Sequence, residues 1–203
     1  MAGSSPLSAP ASLPQPAPAA PAALWEHFAA KAALLGTTVI HAGSEEEAAT
    51  LLAPAMAGEP PDRSSASATE IVATSQAASR FPRATAAAGR LPAVARGTAR
   101  EVVGLGQAAV AETGSVLLAE DRAGRAACLL AERLWLLVPY EAIVASLDGI
   151  FAHVRRLVQG GMPYVTLMSG PSRTADIERT LTIGVHGPRA LTIVVVGGEQ
   201  TAP

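Results

Sequence analysis

Two short runs in the second half of the chain carry no charged residue: Leu134-Trp135-Leu136-Leu137-Val138 and Leu191 to Val196. Runs of that length that are apolar almost throughout belong to strands buried on both faces, as in a parallel sheet covered by helices. The rest of the sequence alternates to match. Ala23 to Leu35 reads as a helix anchored by Leu24, Phe28 and Leu35, and Gly36 stops it as a C′ glycine. Thr37-Thr38-Val39-Ile40 is a short β-branched strand, and Ser44-Glu45-Glu46-Glu47 matches a capping box opening a helix to about Ala53. Ile71-Val72-Ala73 reads as a strand and Gln76 to Ser79 as the start of a helix, while the Ala-rich stretch from Arg83 to Thr98 fits helix or loop. Glu101 to Gly104 looks like a strand edge. Ser115 to Ala119 is a strand, followed by a turn at Asp121 to Gly124 and a short helix over Ala126 to Ala131. Ser146 to Gln159 is amphipathic, with Leu147, Ile150, Phe151, Val154, Leu157 and Val158 on one face and Arg155 and Arg156 off it. Tyr164 to Met168 is a strand, and Thr174 to Leu181 reads as helical.

Strands alternating with helices predict a three-layer α/β fold with a mostly parallel central sheet. Met1 to Ala22 contains Pro10, Pro14, Pro16, Pro18 and Pro21 among Ala and Ser. Such a segment buries little area, so residues 1–22 are expected to be a flexible tail and residues 23–203 a single α/β domain. Aromatic residues make up only 3%, so the core must be built from Ala, Val, Leu and Ile.

Composition excludes several functions. A formal net charge of -2 gives no global attraction to nucleic acid, and 3% aromatics give few stacking platforms for single strands. Cys128 is the single cysteine, so neither an internal disulfide nor an all-cysteine iron–sulfur or zinc site can form within one chain. His27, His41, His153 and His186 show no helical zinc spacing, and no metal site is expected. Lys31 is the sole lysine, so a Gly-Lys-Ser/Thr phosphate loop is absent and anion binding would fall to arginines and backbone N–H groups. No apolar run approaches the roughly 18 residues of a membrane span, and the N-terminus lacks a secretory pattern, which points to the cytoplasm.

Ligands in open α/β sheets bind beyond the carboxyl ends of the strands. That directs attention to the segments after Val103, Val138 and Met168. Gly104-Leu105-Gly106-Gln107-Ala108-Ala109 fits G-x-G-x-x-A, but only Val102-Val103 precede it and Thr113-Gly114 breaks any following helix, so a dinucleotide site is not expected. Ala111-Glu112-Thr113-Gly114-Ser115 sets a carboxylate beside two hydroxyls and a glycine at a strand entrance, as ligand chemistry or as a solvated turn. Met168-Ser169-Gly170-Pro171-Ser172-Arg173-Thr174-Ala175-Asp176-Ile177-Glu178 is the most informative stretch. Ser169, Gly170 and Ser172 supply hydroxyls and close backbone approach, and Arg173 a forked donor for carboxylate or phosphate. Thr174 suits a helix N-cap, with Asp176 and Glu178 in the first turn and free N–H groups for an anion. Gly184-Val185-His186-Gly187-Pro188 places a histidine between glycines, as a proton carrier or a plain loop residue.

These three segments, in this order, resemble the LUD-domain family. The long middle stretch from Gly170 to Glu178 is the specific part, and the likeness covers roughly residues 100 to 197. The resemblance implies a fold similar to the sugar-isomerase, CoA-transferase and formyltetrahydrofolate cyclo-ligase group. It also implies a part in a cytoplasmic three-protein system oxidising L-lactate to pyruvate, with no cofactor in this chain and the iron–sulfur clusters in partner proteins. The chain departs from the family at Leu129-Leu130-Ala131-Glu132-Arg133-Leu134, where Leu134 stands in place of the usual histidine.

The leading expectation is an accessory subunit of that system rather than a complete dehydrogenase. Glu112 and His186 are the candidate catalytic groups. Thr113, Gly114, Ser169, Gly170, Ser172, Arg173, Thr174 and Asp176 are the candidate ligand-binding residues, with Asp176 orienting Arg173 on a small carboxylate or phosphate. One rival is a free-standing CoA-transferase-like or cyclo-ligase-like enzyme with Glu112 as its carboxylate. The other is a module that binds a small anion without turnover.

Overall fold

The computed structural model describes residues 20–56, 71–91, 100–162, 164–175, 181–183 and 187–198. In chain order the elements are α1 (Pro21–Leu34), β1 (Thr38–Ala42), α2 (Glu45–Met56), β2 (Ile71–Ala73), α3 (Ser75–Arg80), β3 (Gly89–Arg90) and β4 (Glu101–Val110). They continue with β5 (Ser115–Leu118), α4 (Arg122–Leu130), β6 (Arg133–Pro139), β7 (Ile143–Val144), α5 (Leu147–Gln159), β8 (Thr166–Met168), β9 (Arg173–Ala175), β10 (Leu181–Ile183) and β11 (Ala190–Val196).

The main sheet runs β1-β11-β6-β4-β2-β3, and every pairing along it is parallel. Both faces are covered, and the period-2 alternation of the strands divides the core between them. Leu134, Leu136, Val138, Leu191, Ile193 and Val195 pack with Phe28 and Ala32 of α1 and Ala127 and Cys128 of α4. Leu137, Val194 and Val196 point the other way and pack with Ala48 and Leu52 of α2 and Ala77 of α3. This is the expected three-layer arrangement with a mostly parallel sheet.

The strand at Glu101 is not an edge. β4 is ten residues long and lies inside the sheet, between β6 and β2. Its second half leaves the parallel set, pairs antiparallel with β5 and touches β7, while β5 carries β8 on its other side. Ala108, Val110 and Leu117 of this extension pack with Ile150 of α5. The G-x-G of Gly104 and Gly106 therefore lies inside a strand. A Cβ at Gly106 would fall 2.5 Å from Val138 Cγ2 and 2.6 Å from Val116 Cγ1, and one at Gly104 2.8 Å from Cys128 Sγ. These glycines make room for neighbouring side chains, and no helix follows them to hold a pyrophosphate.

Local signals survive in the helix ends. Gly36, at φ 79°, follows α1, with Gly36 N donating to Ala33 O and Thr37 N to Ala32 O as in a Schellman motif. Ser44 Oγ accepts from Glu47 N at 3.2 Å, while Glu47 Oε2 reaches back to Gly43 N at 2.8 Å. Helix α1 begins at Pro21, two residues inside the expected tail, since proline is tolerated in a first helical turn. Residues 1–19 lie outside the described residues.

One element is corrected. Thr174 and Leu181 were expected in a helix but belong to β9 and β10, which pair antiparallel with Thr174 opposite Thr182. Threonine and isoleucine at 174, 182 and 183 favour extended backbone over helix. Thr174 therefore lies in a strand rather than at a helix N-cap, and the residues that follow it, 176–180, lie outside the described residues.

Candidate functional site

The turn Ala111 to Gly114 is pinned by backbone pairing. Ala111 N donates to Val144 O, Glu112 N to Ala145 O and Gly114 N to Val110 O. This sets the Glu112 carboxylate over the start of α5, where Oε2 accepts from Leu147 N at 3.1 Å. Ser146, the N-cap of α5, makes no side-chain cap bond of its own, so Glu112 fills that role from another part of the chain. Replacing Glu112 by alanine should cost about 1 kcal/mol, the usual worth of a cap. Urea denaturation of Glu112→Ala against the unaltered protein checks this.

Thr113 is half-buried, and its hydroxyl is shielded without a hydrogen-bond partner among the described residues. Gly114, at φ 68°, sits on the backbone of Lys31 and Ala32 in α1. Ser115 Oγ is 2.7 Å from Ser169 Oγ, which joins the Glu112–Ser115 segment to the loop after β8. Gly170, at φ 87°, lies against the last turn of α1, where a Cβ would meet Leu35 O at 2.8 Å. Ser172 N donates to Pro188 O at 2.8 Å, and the Cβ of Ser172 is 3.0 Å from where Gly187 would carry one.

The described parts of the three motif segments thus meet beside the carboxyl end of α1. Arg173 and Thr174 have their backbone in β9. Asp176, Glu178 and His186 lie outside the described residues.

A separate cavity of about 330 Å³ opens at the carboxyl ends of the parallel part of β4 and of β6. Leu105, Gln107, Pro139 and Ala142 line it together with Arg80 of α3, Glu141, and His153, Arg156 and Leu157 of α5. It lies just after Val103 and Val138, two of the strand ends picked out in the sequence, but none of the described candidate catalytic or ligand-binding residues lines it. Arg80 Nη2 bonds Glu141 Oε1 at 2.8 Å, and Gln107 Nε2 donates to Gln76 Oε1 at 2.6 Å. Partial burial, and then the neighbouring Arg156, push the His153 imidazole below its ordinary pKa. His153 and Arg156 stand three residues apart on α5, a spacing that sets both on one side of a helix and could have marked them in the sequence.

A second group missed in the sequence is Glu120, just beyond β5. Only 2% of it is exposed. Its Oε1 accepts from Thr74 Oγ1 at 2.7 Å and Leu105 N at 3.2 Å, while Oε2 has no partner among the described residues. Burial pushes this carboxyl above its ordinary pKa against the pull of those two donors. A carboxylate just after a buried strand, ahead of the Asp121 that caps the next helix, was the available signal.

Leu134, at the position where the resemblance implied a histidine, is 1% exposed and packs in the core on the α1 and α4 side. It is near the amino end of β6, about 17 Å from Pro139 at the cavity by the rise of an extended strand. The substitution therefore changes core packing rather than the cavity lining. Among the described residues no group of three or more His, Cys, Asp or Glu could hold a metal ion. No described helix is long and apolar enough to cross a membrane.

The fold and its motif junction define an α/β protein with a covered, mostly parallel sheet. The crystal structure of a DUF162-family protein from Deinococcus radiodurans has the same fold, with a TM-score of 0.66 and 25% identity over 89% of this chain and 100% of that one. A family model described as the LUD domain matches residues 100–196. The chain is 37% identical over 90 residues to lactate utilization protein C of Shouchella clausii, covering 43% of this chain and 39% of that protein. It is 39% identical over 92 residues to lactate utilization protein C of Deinococcus radiodurans, covering 44% and 42%. The matched stretch is thus about two-fifths of the length of these relatives.

Proposed function

We propose that this chain is an accessory subunit of a cytoplasmic iron–sulfur system that oxidises L-lactate to pyruvate, and that its motif junction holds a small anion. The observation that carries the reading is the likeness to lactate utilization protein C, together with a LUD-domain match over residues 100–196, the part of the chain containing all three motif segments. The junction of Ser115 with Ser169 and of Ser172 with Pro188 supports one shared site. The unpartnered Thr113 hydroxyl leaves a donor for a ligand oxygen. In this reading Thr113, Gly114, Ser169, Gly170, Ser172 and Thr174 surround the anion. Arg173 takes its carboxylate or phosphate in a forked contact, with Asp176 orienting the guanidinium. Glu112 stands at the rim, and His186 takes the hydroxyl proton as the C–OH of lactate becomes a carbonyl, while the Cα–H bond breaks, its proton leaving to solvent and its two electrons to the oxidant. The electron pair passes to iron–sulfur clusters in the partner proteins, because one cysteine cannot ligate a cluster here.

The test is to recover the tagged chain gently from its own host and measure iron and lactate-dependent dye reduction in the eluate. Co-purifying iron and activity are expected, with Arg173→Ala lowering the rate about tenfold, the scale of a lost charge-assisted contact. A clean, iron-free chain that supports no lactate-dependent reduction would overturn the proposal.

A further inference from the structure

We propose that the cavity between β4, β6 and α5 is a second ligand site, separate from the motif junction, and that it binds a small aliphatic monocarboxylate through Arg156. Two guanidiniums, Arg80 and Arg156, line the cavity, and one carboxylate, Glu141, answers them. Glu141 is bonded to Arg80, whereas Arg156 has no carboxylate within salt-bridge distance among the described residues. One positive charge therefore stands uncompensated at the carboxyl end of a parallel sheet, where such folds take their ligands.

The rest of the lining narrows the ligand. Leu105, Pro139 and Leu157 form an apolar wall that suits a short hydrocarbon body. A volume of about 330 Å³ lies at the small end of ligand sites and is too small to enclose a whole CoA ester. One excess positive charge matches one carboxylate, while a phosphate dianion would have to draw Arg80 away from Glu141. Held below its ordinary pKa by burial and by Arg156, His153 remains neutral near pH 7 and supplies a hydrogen bond rather than a second charge. Nothing in this inference depends on the lactate system, because it uses none of the motif residues and no partner protein.

Calorimetric titration of the full chain with sodium butyrate, and separately with inorganic phosphate, tests it. Butyrate should bind saturably and more tightly than phosphate. Arg156→Gln should weaken butyrate about tenfold, the effect of losing one charge-assisted pair. Arg156 is exposed on α5, so the variant should keep the far-UV circular dichroism and melting temperature of the unaltered protein. The proposal is overturned by an absence of saturable butyrate binding, by phosphate binding more tightly, or by a folded Arg156→Gln protein with unaltered affinity. Loss of binding in Ser169→Ala but not in Arg156→Gln would place the anion at the junction and overturn it too.

Discussion

Replacing Gly114 by alanine should destabilise the protein by about 3 kcal/mol, the largest effect expected from adding a single methyl group at the motif junction. The glycine has φ 68°, where a side chain is strained by roughly 1–2 kcal/mol. The added Cβ would also fall 2.4 Å from Ala32 N and 2.6 Å from Lys31 C. Those are backbone atoms inside α1, which cannot yield without moving the helix that buries Phe28 and Ala32. In a chain of this size each kcal/mol moves the melting temperature by roughly 2–4 °C, so a fall of about 10 °C is expected by scanning calorimetry. Ser169→Ala, across the same junction, should cost about 1 kcal/mol and lower melting by roughly 2–4 °C, because it leaves the buried Ser115 hydroxyl without its partner. A Gly114→Ala protein that melts unchanged would show that the turn does not rest on α1.

Glu120 should separate hydrogen bonding from charge. Glu120→Ala strips the acceptor from the Thr74 hydroxyl and from Leu105 N–H, two buried donors, and should cost about 3 kcal/mol. Glu120→Gln keeps a carbonyl oxygen for both donors and has no charge to desolvate. Because burial raises the pKa of this carboxyl in the folded protein, the folded state holds its proton more tightly than the unfolded chain does. The stability it contributes is therefore fully present below the ordinary glutamate value, and it is lost as pH rises through the raised one. Urea denaturation at about pH 4 and about pH 8 should show the advantage of Glu120→Gln growing with pH, these values bracketing the ordinary range of the carboxyl on the acid side and well above it. An advantage that shrinks with pH would reverse the assignment, and equal losses in the two variants would show that the bonds to Thr74 and Leu105 do not matter.

Much of the architecture was legible because its causes are local. The charge-free runs at Leu134–Val138 and Leu191–Val196 can bury both faces only inside a covered sheet, and they pair there side by side as β6 and β11. Gly36 and Ser44 end and begin helices by contacts within a few residues of themselves. β4 was harder to read, because its glycines resemble a loop until the valines they accommodate are known. Thr174 looked like a cap because Asp176 and Glu178 follow it, yet pairing with Thr182 of β10 holds it extended. Strand pairing is a long-range event that outweighs weak local preference.

The site divides in the same way. The motif segments could be picked out as unusual clusters of polar groups and glycines, and their order in the chain pointed to one family. That Ser115 meets Ser169, that Ser172 meets Pro188, and that Glu112 caps α5 depends on how the extension of β4 folds back beside α1. Glu120 and the cavity of Arg80, Gln107, His153 and Arg156 were not singled out, because a carboxylate after a strand or two basic groups on one helix face gain meaning only from partners tens of residues away along the chain. The sequence by itself determined which segments are strands buried on both faces, where most helices start and stop, and which chemistry one cysteine and one lysine forbid. Tertiary structure alone decided which polar groups face one another, since burial and a partner's position arise only when distant segments pack.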